Sequence, residues 1–396
     1  MRALKHWKPE LNSNKKEVLI IDKSELSGTL RLPPSKSHAM RWLVLASMDD
    51  SPTKIEMEEI GKDVESMIRC LEQLGIKYEA GKIVGGNLSR PIGVLNCANS
   101  GTAFRFLLAQ AASCSFPVML DGDNSLRVRD SSPLIDSLGV STSQGFGLET
   151  YPVLVNGPFS KNEIEIDVSK SSQFHSALML MSPRTSGFEL NTIGAPVSRR
   201  HSELTWDLCQ QTGASKLGQA WKVICPDVVI PPDPSMIAFA RLAGLEVDNL
   251  PKDLDLIGTE ILNSEEEFDL TDANDLITPL AAILALQNGG IITGAAHAAY
   301  KETNRITHTV SMLADFGLVA TPTDDGLLIK GGQKLTKPKV IVKTYSDHRI
   351  QMTALLLGAK VGAVVEGMKL HEIAWPSYLE QLQKCGLRVK SQIVQP

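Results

Sequence analysis

Lys36, Arg41, Arg105, Arg127, Arg129, Arg199, Arg200, Lys301, Arg305 and Arg349 cluster at the openings of short apolar stretches, where solvation alone gives no reason for a charge. Lysine supplies a point charge for phosphate, and the planar guanidinium of arginine takes carboxylate or phosphate through two parallel hydrogen bonds. Hydroxyl and amide donors sit at the same openings: Ser37, Thr102, Ser171, Ser172, Gln173 and Ser198. Three acids stand out beside them, Asp275, Glu302 and Asp347. A carboxylate among cations and a bound phosphoester serves as general acid or base once desolvation tunes its pKa. Asp275 and Glu302 are the candidates for that work, whereas Asp347 reads first as a helix cap or ion-pair partner. Each of these residues has an ordinary structural reading of its own: Ser-Ser-Gln caps helices, and a cation is half of an ion pair. As a set they point to a small polyanionic ligand.

The elements that must position them recur along the chain. A polar or acidic residue opens a short apolar helix at "SKSHAMRWLVLA" from Ser35, "SGTAFRFLLAQA" from Ser100, "SSQFHSALMLM" from Ser171, "DPSMIAFARLAG" from Asp233, "DLITPLAAILAL" from Asp275 and "DHRIQMTALLLGA" from Asp347. Helices apolar on nearly every side belong inside a protein. Five of the six units also show a second, amphipathic helix, and Gly75, Gly139, Gly213, Gly317 and Gly386 fit the positions just after these helices. The fourth unit is short, and its "NSEEEFDLTDAN" reads as a solvated acidic loop. The pattern predicts an α/β protein of two domains, three units each, with apolar helices inside and sheets around them. Pro-rich "LPPSKS" and "IPPDPS" mark where the chain crosses between domains. The predicted domains are 1–34 with 231–396, a discontinuous domain carrying both termini, and the inserted 35–230. Helix N-termini converging on the cleft between them would form an anion trap, because free N–H groups and the helix dipoles add to the side-chain cations.

The whole composition narrows the classes. With 396 residues, 43% hydrophobic and 21% charged, the chain is globular, and a net charge of -5 argues against a nucleic-acid partner. No uninterrupted run of about 18 apolar residues and no secretory h-region is visible, so a cytoplasmic protein with no membrane partner is expected. The six Cys form no C-x-x-C pair and the eight His no H-E-x-x-H, so neither disulfides nor a metal site is expected.

Nine elements in order, "PSKSHAMR", "NSGTAFR", "GDNSLRVR", "SSQFHSALM", "PVSRRH", "DLITPLAA", "YKETNR", "YSDHR" and "WPSYLEQL", resemble the 5-enolpyruvylshikimate-3-phosphate synthases. The resemblance runs from about Leu32 to Leu382. It implies two inside-out α/β domains of βαβαββ units, with the active site in the interdomain cleft. It also implies transfer of the enolpyruvyl group of phosphoenolpyruvate to the 5-hydroxyl of shikimate 3-phosphate, with release of phosphate and without metal or organic cofactor, in a monomer. Carried onto this chain, Lys36, Ser37, Arg41, Ser171, Ser172, Gln173, Ser198 and Lys301 would hold shikimate 3-phosphate. Asn99, Gly101, Thr102, Arg129, Arg305, His348 and Arg349, with Lys36 and Gln173 shared, would surround phosphoenolpyruvate. Asp275 would act as base on the attacking hydroxyl, Glu302 as the acid toward the methylene carbon, with Lys36 as a third catalytic group.

Several positions depart from the family pattern: Ile373 stands where a Lys is expected, His201 where a Tyr is, Asn304 for Asp, His297 for Asn, and Phe106 for Pro. These predict weakened phosphoenolpyruvate affinity and an altered response to glyphosate. Two alternatives stay open, a transferase for another acceptor such as UDP-N-acetylglucosamine and a non-catalytic relative that binds a phosphometabolite. Against the first, the Cys expected five residues before Arg129 is Asn124.

Overall fold

A computed structural model describes residues 16–139, 141–143, 151–250 and 266–394. All six expected apolar helices form. Lys36–Ala46 has every residue from His38 onward buried, and Gly101–Ala112 exposes only Thr102 to any extent. Ser172–Met181, Ile237–Ala243, Ile277–Leu286 and His348–Val361 are buried in the same all-round manner. The Asp233 and Asp275 segments open with a single 3-10 turn, Pro234–Met236 and Asn274–Leu276, before the α-helix begins. Amphipathic second helices flank them. Lys62–Gln73, for example, buries Val64, Met67, Ile68 and Leu71 along one stripe. Gly75, Gly213, Gly317 and Gly386 each follow a helix cap with φ of +90°, +109°, +76° and +107°, and Gly139 at +59° is itself the cap. A side chain at these positions would clash with its own backbone.

The sheets repeat one topology. In three four-stranded sheets a parallel pair is followed by two antiparallel additions: Leu95–Asn96, Val118–Asp121, Val153–Asn156 and Ser141–Ser143 in the first. Val228–Val229, Thr53–Glu56, Lys82–Val84 and Lys77–Glu79 make the second. Glu267–Asp269, Gly289–Thr293, Leu327–Lys330 and Ala320–Pro322 make the third. Glu267–Asp269 corrects one expectation, since the end of the acidic stretch is a strand. Its single apolar residue, Phe268, is buried between two exposed acids, which is the period-2 alternation of a half-buried strand. The rest of the shortened fourth unit, 251–265, lies outside the described residues.

Two separate apolar clusters are buried. One draws on residues from Ala39 to Ile230, the other on Leu19 to Leu32 and Met236 to Leu387. The chain passes between them at two segments that pair with each other. Ser35 N–H donates to Pro231 O at 2.7 Å, Asp233 N–H donates to Pro33 O at 2.8 Å, and Pro34 and Pro232 form an antiparallel bridge. We propose on this basis that 35–230 is a domain inserted into a second one formed by 1–34 and 231–396, with these paired strands as the hinge.

Candidate active site

The openings of all six buried helices line one cavity of about 970 Å³, its mouth included. Lys36 and Ser37, Gly101 and Thr102, Ser171 to Gln173, Ser235, Asn274 and Asp275, and His348 and Arg349 come from these helix starts. Arg41, Arg105, Arg129, Lys170, Ser198, Lys301, Glu302 and Arg305 complete most of the wall. Eight lining side chains are Lys or Arg and four are Asp or Glu, a local surplus of four positive charges in a chain whose net charge is -5. Of the residues assigned to substrates or catalysis from the sequence, all reach the cavity except Asn99, whereas three of the cations singled out there do not line it: Arg127 pairs with Asp121, Arg199 with Asp272 and Arg200 with Glu203. The Asn99 amide donates to Ser125 Oγ at 2.7 Å while its Oδ1 is buried without a partner.

A network of buried charge lies on the side of the second core. Arg305, 1% exposed, donates from Nε to Asp347 Oδ2 at 2.8 Å, from Nη1 to Asp275 Oδ1 at 2.5 Å, and from Nη2 to Glu302. Arg349 adds a bond to Asp275 Oδ2 at 3.2 Å, and Arg129 reaches Glu302 from the other core at 3.6 Å. Asp347 also caps its helix through the N–H groups of Arg349 and Ile350, so the structural role read from the sequence and the ion pair coexist. Burial works to raise the pKa of Asp275, but Arg349, Arg305, Lys301 and Lys36 outweigh it and hold the carboxyl well below the usual range. Glu302 follows the same balance: burial is outweighed by Arg305, Arg129, His348 and Lys36, and its pKa is also well below normal.

The cations divide into two kinds. Lys36 has a carboxylate partner, Asp63 at 2.9 Å, and although burial opposes it, Asp63, Glu302 and Asp275 together raise its pKa. Arg41 has none among the described residues. Its guanidinium is held by Thr205 Oγ1 at 2.6 Å, the Ser37 and His201 carbonyls and Ser176, over the ring of Phe106 at 5.3 Å. Burial accordingly pushes Arg41 down to about 9. Arg105 is the equivalent on the next helix, bonded to Gln173 Oε1 at 2.8 Å and to Asp130 O, placed over Phe174 at 4.9 Å, and lowered by burial to about 10. Burial, with help from Arg305, also brings Lys301 down to about 8, against the pull of Asp275. His201 and His297 are pushed by burial to about 3 and about 4, so both rings are neutral at pH 7.

Among the described residues no group of three or more His, Cys, Asp or Glu is placed to hold a metal ion, and no helix is long and apolar enough to cross a membrane.

A family model described as EPSP synthase (3-phosphoshikimate 1-carboxyvinyltransferase) matches residues 21–224 and 217–382. The chain belongs to the EPSP synthase family. The 3-phosphoshikimate 1-carboxyvinyltransferase of Methanothermobacter thermautotrophicus is 29% identical over 94% of this chain and 99% of its own. That of Korarchaeum cryptofilum is 30% identical, again over 94% and 99%. Among solved structures, EPSP synthase from Acinetobacter baumannii aligns with a TM-score of 0.73 at 20% identity, over 96% of this chain and 100% of that one. The enolpyruvyl transferase NikO from Streptomyces tendae aligns with a TM-score of 0.71 at 15% identity, over 96% and 99%. At such identities the two superpositions speak for the fold alone.

Within this family frame the departures find local reasons. Asn304 still caps the Arg305–Asp315 helix, its side chain accepting from Thr307 N–H at 3.1 Å. Phe106 is the ring under Arg41. Ile373 is buried in the Leu370–Ile373 turn and is not part of the cavity wall. His201 and His297 both line the cavity. Sequence reasoning placed Arg105 among the ligand-facing cations but assigned it to neither substrate, and it did not single out Lys170, Asp63, Asn274 or Asp272, all on the wall. Arg105 carried a signal, one helical turn beyond Gly101 just as Arg41 lies one turn beyond Ser37. Asp63 carried none, because it belongs to a second helix.

Proposed function

We propose that this chain transfers the enolpyruvyl group of phosphoenolpyruvate to the 5-hydroxyl of shikimate 3-phosphate, releasing inorganic phosphate, a step of aromatic amino-acid biosynthesis. The observation that carries the reading is the convergence of six helix N-termini and a surplus of four positive charges on two ionised carboxylates. Both substrates bring a phosphate and a carboxylate, which suit such a wall. Protonation of the methylene carbon makes the enol carbon cationic. The 5-hydroxyl adds to it and gives up its proton, and the resulting tetrahedral ketal then loses a methyl proton and phosphate to regenerate the enol ether. Asp275 is assigned as base on the hydroxyl and Glu302 as acid toward the methylene carbon, with Lys36 beside both to stabilise the phosphate as it leaves. Lys36, Ser37, Arg41, Ser171, Ser172, Gln173, Ser198 and Lys301 are assigned to the acceptor. Gly101, Thr102, Arg129, Arg305, His348 and Arg349 are assigned to phosphoenolpyruvate, with Asn99 supporting that loop from behind. Proximity and fixed charge carry most of the acceleration in a reaction of this kind.

Purified protein is incubated with phosphoenolpyruvate and either shikimate 3-phosphate or UDP-N-acetylglucosamine, and phosphate release is followed with Asp275→Ala as control. Release with the first acceptor, absent from the variant, is expected. Release only with the second would replace the acceptor, and binding without any turnover would favour a phosphometabolite-binding protein.

A further inference from the structure

Ser198 opens the Arg199–Gln211 helix without capping it. A serine in this place ordinarily accepts a hydrogen bond from an N–H of the first turn. Here Oγ is engaged across the cavity, 2.9 Å from Asn274 Nδ2 and 3.3 Å from His297 Nε2, and the backbone is left-handed at φ +51°. The cap comes from the other core. Asp272 Oδ1 accepts the Arg199 N–H at 2.6 Å, and Oδ2 takes the Arg199 side chain from Nε at 3.0 Å and Nη2 at 2.6 Å. Next to it, Ser198 N–H donates to Thr271 O at 2.8 Å. Each of these bonds joins one apolar core to the other.

We propose that Asp272 is a positioning residue for acceptor binding: by capping the Arg199 helix from across the cleft it fixes the Ser198 backbone and so holds the Ser198 hydroxyl toward the acceptor. This rests on the reading of the cleft as the shikimate 3-phosphate site. The physical logic is anchoring of one helix N-terminus across the cleft. While Asp272 holds the Arg199 N–H and guanidinium, the Ser198 backbone stays pinned in its left-handed geometry with Oγ on Asn274 and His297. Without that anchor the Ser198–Arg199 turn is free to relax, and the hydroxyl loses its fixed place in the cavity. The acceptor subsite is therefore complete only while the Asp272–Arg199 contact spans the cleft. Asn274, two residues past Asp272, completes the same turn, and its Oδ1 is buried without a partner.

The test compares Asp272→Ala, Asp272→Asn, Ser198→Ala and the Ser198/Asp272 double alanine variant in steady-state assays with each substrate varied. Asp272→Ala is expected to raise KM for shikimate 3-phosphate about tenfold, within the range that losing a helix cap produces. KM for phosphoenolpyruvate should stay within about twofold, since Asp272 bonds Arg199 next to Ser198, which is assigned to the acceptor. Asn retains a capping oxygen and should restore most of the loss, and the double variant should be no worse than Ser198→Ala alone. Native-state hydrogen exchange at the Arg199 amide gives an arm independent of turnover, with faster exchange in Asp272→Ala than in Asp272→Asn. An equal rise of both KM values, additive single effects, or unchanged Arg199 protection would overturn the proposal. If the wild type turns over neither acceptor the functional reading fails, and the exchange arm still decides the cap.

Discussion

Replacing Arg305 by Met keeps the length of the side chain and removes the charge on which three carboxylates converge. Asp347 is fully buried, Glu302 is 9% exposed at its side chain, and Asp275 is one-third exposed. Breaking one buried pair by deleting its partner costs about 3–5 kcal/mol. Lys36, Arg129 and Arg349 remain near Asp275 and Glu302, so the total should stay in that range although three acids lose a partner. For a unit of roughly 200 residues each kcal/mol moves Tm by about 2–4 °C, which gives a fall of about 6–20 °C. The pH dependence has a definite sign. Asp275 and Glu302 titrate below their ordinary values in the folded protein, so their pairing stabilises fully above roughly pH 4 and is lost as pH falls through the lower folded values. The deficit of Arg305→Met should accordingly be complete at pH 7 and shrink only as pH falls below roughly 4. Thermal and urea unfolding at pH 7 and in more acid buffers measure it. A loss under about 1 kcal/mol at pH 7, or one undiminished in acid, would refute the account of the network.

Lys301, lowered to about 8, loses its charge above that pH, so shikimate 3-phosphate should bind progressively more weakly from pH 7 to pH 9 by calorimetry. Lys301→Arg should remove the break, because arginine stays protonated throughout. A Cβ on Gly61 would stand 2.7 Å from the Ile373 carbonyl of the other core, where no side chain can yield. Gly61→Ala should hold the cleft ajar, lowering kcat/KM at least tenfold and enlarging the radius of gyration of the substrate-bound protein in solution scattering. Substrate binding at pH 6 should take up protons, measured by calorimetry in buffers of different ionisation enthalpy, and Glu302→Gln should take up fewer; equal uptake would remove Glu302 as the acid.

The repeat was legible because its signals are local. A polar cap, an apolar run and a glycine after the next helix can be counted along the chain, and all six buried helices stand where that count put them. Glu267–Asp269 was missed because one Phe between acids carries almost no periodic signal, and the partner that makes it a strand lies more than 20 residues on. The cavity wall was legible only as far as the helix openings. Asp63 pairs with Lys36 from a different helix, and Asp272 and Arg199 meet from different cores, so three-dimensional proximity, not spacing, brings them in. Arg41 shows the same limit from the other side. Its helix position suggested either a ligand or a carboxylate partner, whereas in the fold its donors rest on hydroxyls and carbonyls, leaving a buried cation with no anionic partner among the described residues.

That last feature bears on how the proposed chemistry is timed. In the protein by itself the surplus cations hold Asp275 and Glu302 ionised, which suits a base and disables an acid. Arg41 and Arg105 meanwhile have no ion-pair partner among the described residues, and their burial is only partly offset. Both imbalances have one remedy. Two substrates that each carry a phosphate and a carboxylate supply the missing counter-charge to the arginines and, by the same field, weaken the hold of the cations on the two carboxylates. In the proposed mechanism a proton on Glu302 is then tolerated only once the donor substrate is in place. Binding and acid activation would be the same electrostatic event, and water entering the cleft without the substrates would meet an ionised Glu302 with no proton to give.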